Sequence, residues 1–404
     1  MSLAIVRRRP NFGLLWAAQL ISFIGEGVFQ IAMLWWMVQK TKSGTIVGLI
    51  LSVSYLPGVL IGPFAGTLAD RVNPKILLIG ADLTRALLLG VFSLMASYDS
   101  LEVWHIFLLC ALLSTASIFH SPTTLTVIPK VVKPEEIEEA MALHSIVRDL
   151  ARLVGPALGG MIMAYFSASQ AFAINSMALV LSALLISLIA LENPVAEEVK
   201  ESVFTQLAEG LRYVRSQKIL FSMLTGFGLL NLFVIPIMVL LPLTVDTTLK
   251  LGSMHLGICE GGLATGSVLT GLTFSKLFGG VALSKLLVRT LFSSGILFVV
   301  FAVNKVFPVF LVGLFLLGGC FTAVNIAVLT LYQKLVAPEM KGRFFALVET
   351  ICFAFFPISM ALAGFLADTI GLGATYGFCA AGILLLSLRF ALIPGLAEYD
   401  EPSS

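Results

Sequence analysis

The chain has 404 residues, 58% of them hydrophobic and 12% charged, with a formal net charge of +2. A soluble domain carries about 25% charged residues, so this sequence cannot cover a water-facing surface and its apolar side chains must face lipid. The small net charge, carried in short connections, excludes a nucleic-acid-binding stripe, and Cys110, Cys259, Cys320, Cys352 and Cys379 sit in apolar runs without C-x-x-C spacing, which excludes a disulfide framework or a zinc site.

A bilayer span takes about 20 apolar residues. Runs of that kind predict twelve spans, at 13–38, 45–69, 76–97, 103–126, 141–165, 169–191, 219–243, 254–276, 282–303, 307–331, 344–367 and 372–394. Arg7, Arg8 and Arg9 precede the first run. That run is long, contains Glu26 and lacks a small-residue cleavage site, so it reads as a span and not as a signal peptide. An even number of spans puts both termini on one side. Arg71, Lys75, Lys130, Lys133, Arg212, Arg215, Lys334, Lys341 and Arg343 fall on that same side, whereas Lys40, Lys42, Lys250 and Lys305 fall on the other. The positive-inside rule makes the first side cytoplasmic. The expectation is a multi-pass protein of the cell inner membrane with cytoplasmic termini.

Charged and small residues punctuate the spans. Glu26 lies between Gly25 and Gly27 near the middle of the first. Gly58, Gly62 and Gly66 form a ladder on the second, suited either to a sliding surface or to static packing. The loop that follows reads Gly66-Thr-Leu-Ala-Asp70-Arg71-Val-Asn-Pro-Lys75. Its Asp70 can accept bonds from a helix N-terminus or pair with Arg, and its cations can meet acids or lipid phosphates. Asp82 and Arg85, three apart, are expected to pair with each other. His120 and His144 read as interfacial residues, with proton carriers as the alternative. Arg148, Asp149 and Arg152 lie in the cytoplasmic part of span five, Arg148 and Arg152 on one face. They are followed by Gly155-Pro156-Ala-Leu-Gly159-Gly160, where Pro removes a backbone bond and the glycines open a groove. Glu260 stands in span eight beside Gly261 and Gly262, and Glu349 in span eleven.

The longest polar stretch divides the chain: an N-terminal half over 1–193, a linker over 194–217 with an amphipathic helix, and a C-terminal half over 218–404. The halves repeat. Lys130, Val132, Pro134 and Glu135 recur 204 residues later as Lys334, Val336, Pro338 and Glu339, and Gly160 recurs as Gly364. Gly66 faces Gly271 at an offset of 205, with Ser275 where Asp70 stands. Parallel repeats of this length are a plan for transporters. The sequence thus predicts an all-α membrane protein of twelve transmembrane helices in two pseudo-symmetric six-helix bundles.

An intramembrane charge costs about 2.5–3.5 kcal/mol on insertion scales and lines a cavity or pairs. A desolvated carboxylate accepts a proton more readily, the requirement for proton-coupled exchange. Glu26 is the first candidate for coupling or substrate contact, then Glu260 and Glu349. Gly66, Asp70, Arg71, Lys75, Arg148, Asp149 and Arg152 are gating candidates. No G-x-x-x-x-G-K-[ST] is present, so the energy must come from an ion or substrate gradient. The four histidines are scattered and supply no catalytic or metal-binding constellation, so no enzyme, metal or cofactor is expected.

The loop from Gly66 to Lys75 resembles the signature G-x-x-x-D-R-x-G-R-K of the major facilitator superfamily, departing from it at Asn73 and Pro74. Gly155, Pro156, Gly159 and Gly160 resemble its antiporter motif, G-P-x-x-G-G, found mainly in exporters. Ile21 to Glu26, Phe119 to Pro122, Ile128 to Glu135, Val336 to Arg343 and Gly364 to Asp368 are similar to the branch of macrolide-efflux proteins and the enterobactin exporter. The resemblance implies secondary active efflux of amphipathic or hydrophobic small molecules by proton antiport, with rocking halves. The partners would be the substrate, protons and the bilayer, without nucleic acid, and the chain would act as a monomer. A same-fold importer, metabolite facilitator or lysophospholipid flippase is the alternative, and a membrane-embedded enzyme or transport-dead sensor a more distant one.

Overall fold

The computed structural model describes residues 4–69, 72–191 and 203–396. Its helices are α1 (Ala4–Arg8), α2 (Pro10–Thr41), α3 (Gly44–Ala69), α4 (Pro74–Ser97), α5 (Val103–Ser117), α6 (His120–Val131), α7 (Ile137–Tyr165), α8 (Ala168–Ser187), α9 (Val203–Ser216), α10 (Lys218–Val234), α11 (Ile237–Leu243), α12 (Ser253–Phe278), α13 (Leu283–Val303), α14 (Phe307–Leu335), α15 (Lys341–Thr369) and α16 (Leu372–Ala391). No strand occurs among the described residues. Two predicted spans are interrupted. One is α5 followed by α6, and the other is α10 followed by α11 and a π-helical turn at Thr244–Thr248. Pro236 and Pro242, which lack a backbone N–H, mark the second break. Ten helical segments among the described residues are long and apolar enough to cross a membrane. The two remaining predicted spans are α7, which carries Arg148, Asp149 and Arg152, and α12, rich in Gly, Ser and Thr around Glu260.

Local chemistry sets the helix starts. Asn73, which replaces the signature glycine, caps α4: its Oδ1 accepts from the Lys75 amide at 3.0 Å, and Pro74 fills the first helical position. The departure from the signature is therefore a helix start in its own right. Ser167 and Gln170 form a capping box on α8. Lys42 closes α2 in the left-handed region at φ 52°.

The chain divides into two compact units. The first comprises Met1–Lys42, Val53–Lys200 and Gly252–Gly261, and the second Ser43–Ser52, Glu201–Leu251 and Gly262–Ser404. In the first, α2 packs on α7 and α8, and α4 on α8 and α5. In the second the scheme recurs: α10 packs on α15 and α16, and α13 on α16 and α14. Lipid tails are as apolar as Leu, so helices in a bilayer associate through close packing and not through water exclusion. Accordingly, Gly318 of α14 lies against the Leu263 carbonyl of α12, and Ser267 Oγ donates to the Gly318 carbonyl at 3.0 Å. Phe301 meets Phe310 at 4.9 Å and Tyr376 at 5.8 Å, edge to face. Leu87, Leu94, Leu272 and Leu385 stay exposed on the chain, as a lipid-facing surface requires.

The amphipathic helix α9 docks in the second unit. Glu209 pairs with Arg343 at 2.8 Å, Gly210 sits at the Arg343 carbonyl, and Tyr213 Oη accepts from the Ala337 amide at 3.1 Å.

Candidate transport site

In the first unit, residues three and four apart on α2 put Gln19, Ser22, Phe23 and Glu26 on neighbouring positions of one side of the helix. Gln19 and Ser22 are buried, whereas the Glu26 side chain is 50% exposed on the chain. Arg85 of α4 reaches Glu26: its Nη2 donates to Glu26 Oε2 at 3.2 Å. Asp82, one turn before Arg85, is fully buried. Its Oδ2 accepts from Ser182 Oγ at 2.6 Å, while its Oδ1 lies 3.7 Å from both Arg85 Nη1 and His120 Nε2. The expected Asp82–Arg85 pair therefore forms, but Arg85 makes its shorter contact with Glu26.

Both histidines read as interfacial are buried, a correction to the sequence reading. His120 faces Asp82, and His144 Nδ1 lies 2.6 Å from Gln19 Oε1. Phe23 contacts both rings, with centroids at 6.4 and 6.3 Å. An imidazole can hold either partner in one of its tautomers, which lets it sit inside the bundle. Several further buried polar atoms here lack a hydrogen bond: Gln19 Nε2, Ser22 Oγ, Thr124 Oγ1 and Asn175 Oδ1. Taken together, α2, α4, α6, α7 and α8 enclose a polar cluster in which two carboxylates share one guanidinium.

Tyr55 of α3 links further members, lying within electrostatic reach of Arg152, Glu26 and Glu260. Glu260 belongs to the first unit, on the opening turns of α12. Arg148 lies within electrostatic reach of His144, and Arg148, Asp149 and Arg152 are exposed on α7. Glu349 is exposed on α15, in the second unit. Among the gating candidates, Gly66 falls in the last turn of α3, and Lys75 Nζ donates to the Ile189 carbonyl at 2.7 Å. Asp70 and Arg71 lie outside the described residues. Among the described residues, a Cβ at Gly58 or Gly62 would meet nothing within 4 Å.

The glycines of the antiporter motif are all contact points of α7. A Cβ on Gly155 would come 3.0 Å from Gly27 Cα, one on Gly159 would meet Val28 and Ile31 at 3.0 Å, and one on Gly160 would meet the Ser253 carbonyl at 2.7 Å. Pro156 offers its carbonyl to the same approach, 2.6 Å from a Cβ on Gly257. Larger residues would push α2 and the start of α12 away from α7.

Sequence reasoning missed Gln19, Tyr55, Asn175 and Ser182, and named His120 and His144 only as interfacial residues or proton carriers. The one available signal was the spacing of Gln19, Ser22 and Glu26 on α2. Among the described residues, no group of three or more His, Cys, Asp or Glu side chains is placed to hold a metal ion.

Ten membrane-length helical segments among the described residues, a packing scheme used twice and charges gathered inside a bundle define a membrane transporter of the major facilitator fold. The solved nucleoside transporter NupG, as its D323A mutant, superposes with a TM-score of 0.82 at 13% identity, covering 95% of this chain and 100% of that one. A bacterial homologue of the iron transporter ferroportin, in an inward-facing state, does so with a TM-score of 0.74 at 15% identity over the whole of both chains. The family model of transmembrane secretion effectors matches residues 2–403, and the chain belongs to that family. Relatives include macrolide efflux protein A of Streptococcus pyogenes, 26% identical over 384 residues and 94% of each chain. Multidrug efflux pump Tap of Mycolicibacterium fortuitum is 24% identical over 408 residues and 98% of each.

Proposed function

We propose that the protein exports amphipathic or hydrophobic small molecules across the cell inner membrane, as a monomer with cytoplasmic termini, by exchange for protons. The efflux activities named for its relatives, a macrolide efflux protein and a multidrug pump, support the direction and the substrate class. The observation that carries the coupling is the half-exposed Glu26, held by Arg85 next to the buried Asp82 and His120. Two carboxylates around one guanidinium leave room for one more positive charge. In a low-dielectric interior that charge is strongly favoured. A proton arriving at Glu26 competes with Arg85, and so does a cationic group on a substrate. Binding of one then displaces the other, which is the logic of exchange. Rocking of the two six-helix halves would present Glu26 to either side of the membrane in turn, with Arg148, Asp149, Arg152 and the Gly66–Lys75 loop as gates and Gly155, Pro156, Gly159 and Gly160 as the pivot.

The test is transport in everted vesicles against a panel of macrolides, cationic dyes and siderophore-like compounds, with proton flux recorded. Export appears as uptake into the vesicles that collapses with the pH gradient. Glu26→Gln should abolish uphill movement while leaving downhill movement without pH dependence, and Glu26→Asp should retain part of the coupling. Uphill transport by the Gln variant at the parent's rate would remove Glu26 from the mechanism and turn attention to Glu260 and Glu349. Net movement in the opposite direction would instead identify a same-fold importer or flippase.

A further inference from the structure

The sequence Gly66-Thr-Leu-Ala-Asp70 at the end of α3 recurs as Gly364-Phe-Leu-Ala-Asp368 at the end of α15. The second copy has a specific partner. Asp368 Oδ1 accepts from the Gly44 amide at 2.7 Å, and its Oδ2 accepts from Ser43 Oγ at 2.7 Å and from the Thr45 amide at 2.9 Å. These amides are among the first N–H groups of α3, which have no partner within their own helix, and the positive end of the helix dipole faces the carboxylate. Small residues bring the two helices this close. A Cβ on Gly364 would collide with the Gly44 carbonyl, and one on Gly48 with the Met360 carbonyl. One turn further along, Ser52 Oγ donates to the Pro357 carbonyl at 2.6 Å and lies 2.7 Å from the Gly48 carbonyl.

The contact pattern splits α3 accordingly. Residues 43–52 group with α15 in the second unit, and the rest of α3 with the first. The arrangement has a near-copy in the first unit, where Gly160, the repeat of Gly364, receives the start of α12 through Ser253 and Gly257. There the match ends. The position equivalent to Asp368, at the offset of 204, is Ala164, and the contact has Ser253 Oγ donating to the Gly160 carbonyl at 3.2 Å. The carboxylate cap thus belongs to one of two otherwise similar contacts. A cap needed only to build the fold would be needed twice.

We propose that Asp368 is a gating residue of the transport cycle. Its carboxylate is a releasable latch that holds the first turns of α3 on α15, at the membrane face opposite the Gly66–Lys75 loop. The helix α3 is continuous from Gly44 to Ala69, so a state in which α3 moves with the first unit requires the latch to let go. The charge-assisted bonds make the latched state specific. Water, which can solvate both the carboxylate and the freed amides, makes its release reversible.

Hydrogen exchange of the full chain in nanodiscs, without any substrate, tests this. Asp368→Asn should speed exchange in the 43–52 segment about tenfold, the scale set by losing a charge-assisted bond, while α13 and α16 keep the parent's protection. Asp368→Glu should restore most of it. The pair Ser43→Cys and Asp368→Cys, oxidised to a disulfide, should slow the same segment below the parent, because the parent opens and the locked form does not. Reduction should reverse that. Unchanged exchange in the Asn variant, loss of protection spread through α13 and α16, or a locked form exchanging at the parent's rate would each overturn the latch. None of these readouts depends on proton coupling or on the direction of transport, so Glu26 can fail in the mechanism without affecting this result.

Discussion

The buried charges decide more than any other residues. Asp82 is fully buried, and its nearest cation is Arg85, which also serves Glu26. Removing one partner of a buried ion pair leaves an uncompensated charge, at a cost of about 3–5 kcal/mol. Arg85→Met should therefore destabilise the protein by roughly that amount, seen as a lower midpoint of thermal unfolding in detergent. Asp82→Asn keeps the bond from Ser182 and should cost less. The double variant removes both charges and should be more stable than Arg85→Met alone. If the double variant is as unstable as the sum of the two singles, Asp82 and Arg85 do not interact, and the cluster is two separate features. Part of this was legible in the sequence. Asp82 and Arg85 are three apart on one helix, and helical spacing alone predicts that they meet. The contact from Arg85 to Glu26 bridges two helices, as do those from His120 to Asp82 and from His144 to Gln19. No local rule sets such distances, which is why the histidines read as interfacial when they are buried.

At the scale of elements, periodicity carries the spans well because lipid imposes one rule on every residue it touches. It carries less well the places where a helix is interrupted, as at Pro236, or where a loop residue has a capping task, as Asn73 has. The short helix α1 shows what such contacts do. It runs into Arg9, whose Nε donates to Glu136 Oε2 at 2.7 Å in the turn before α7, while Arg8 lies 3.8 Å from Glu139. The bond from Arg9, with the Lys133 amide and the charge of Arg8, holds the Glu136 carboxyl below its ordinary value of 4.5. A depressed folded value means that the contribution is fully present above pH 4.5 and is lost as pH falls through the lower folded value. Thermal unfolding of Glu136→Gln, followed from about pH 6 down to about pH 3, should show a shallower acid-side loss of stability than the parent. The two proteins should differ most at the neutral end. Parallel curves would mean that Arg9 and Glu136 are held together only by the packing of α1.

For the whole molecule, the internal repeat and the distribution of cations are separate facts that must agree. The repeat fixes how helices pair within each unit: α2 with α7 and α8 has its counterpart in α10 with α15 and α16. It says nothing about which side of the membrane is which. Orientation rests on charge, because translocating Lys and Arg against the membrane potential is costly, and short loops keep those residues in the cytoplasm. The connection before α10 carries Arg212, Arg215 and Lys218, and its helix α9 docks on α15 through Glu209 and Arg343. The connection before α12 carries Lys250. An odd number of crossings separates the two, so they must lie on opposite sides whichever way the protein is inserted. Single cysteines placed at exposed positions of 208–217 should react with a membrane-impermeant maleimide in everted vesicles and not in intact cells. Cysteines placed beside Lys250 should behave in the opposite way. Labelling of the 208–217 segment in intact cells would invert the topology. It would move the Gly66–Lys75 loop to the outer face and the Asp368 latch to the inner one. Labelling of both segments from one side would contradict the count of crossings itself, and with it the assignment of α10 with α11 as a single span.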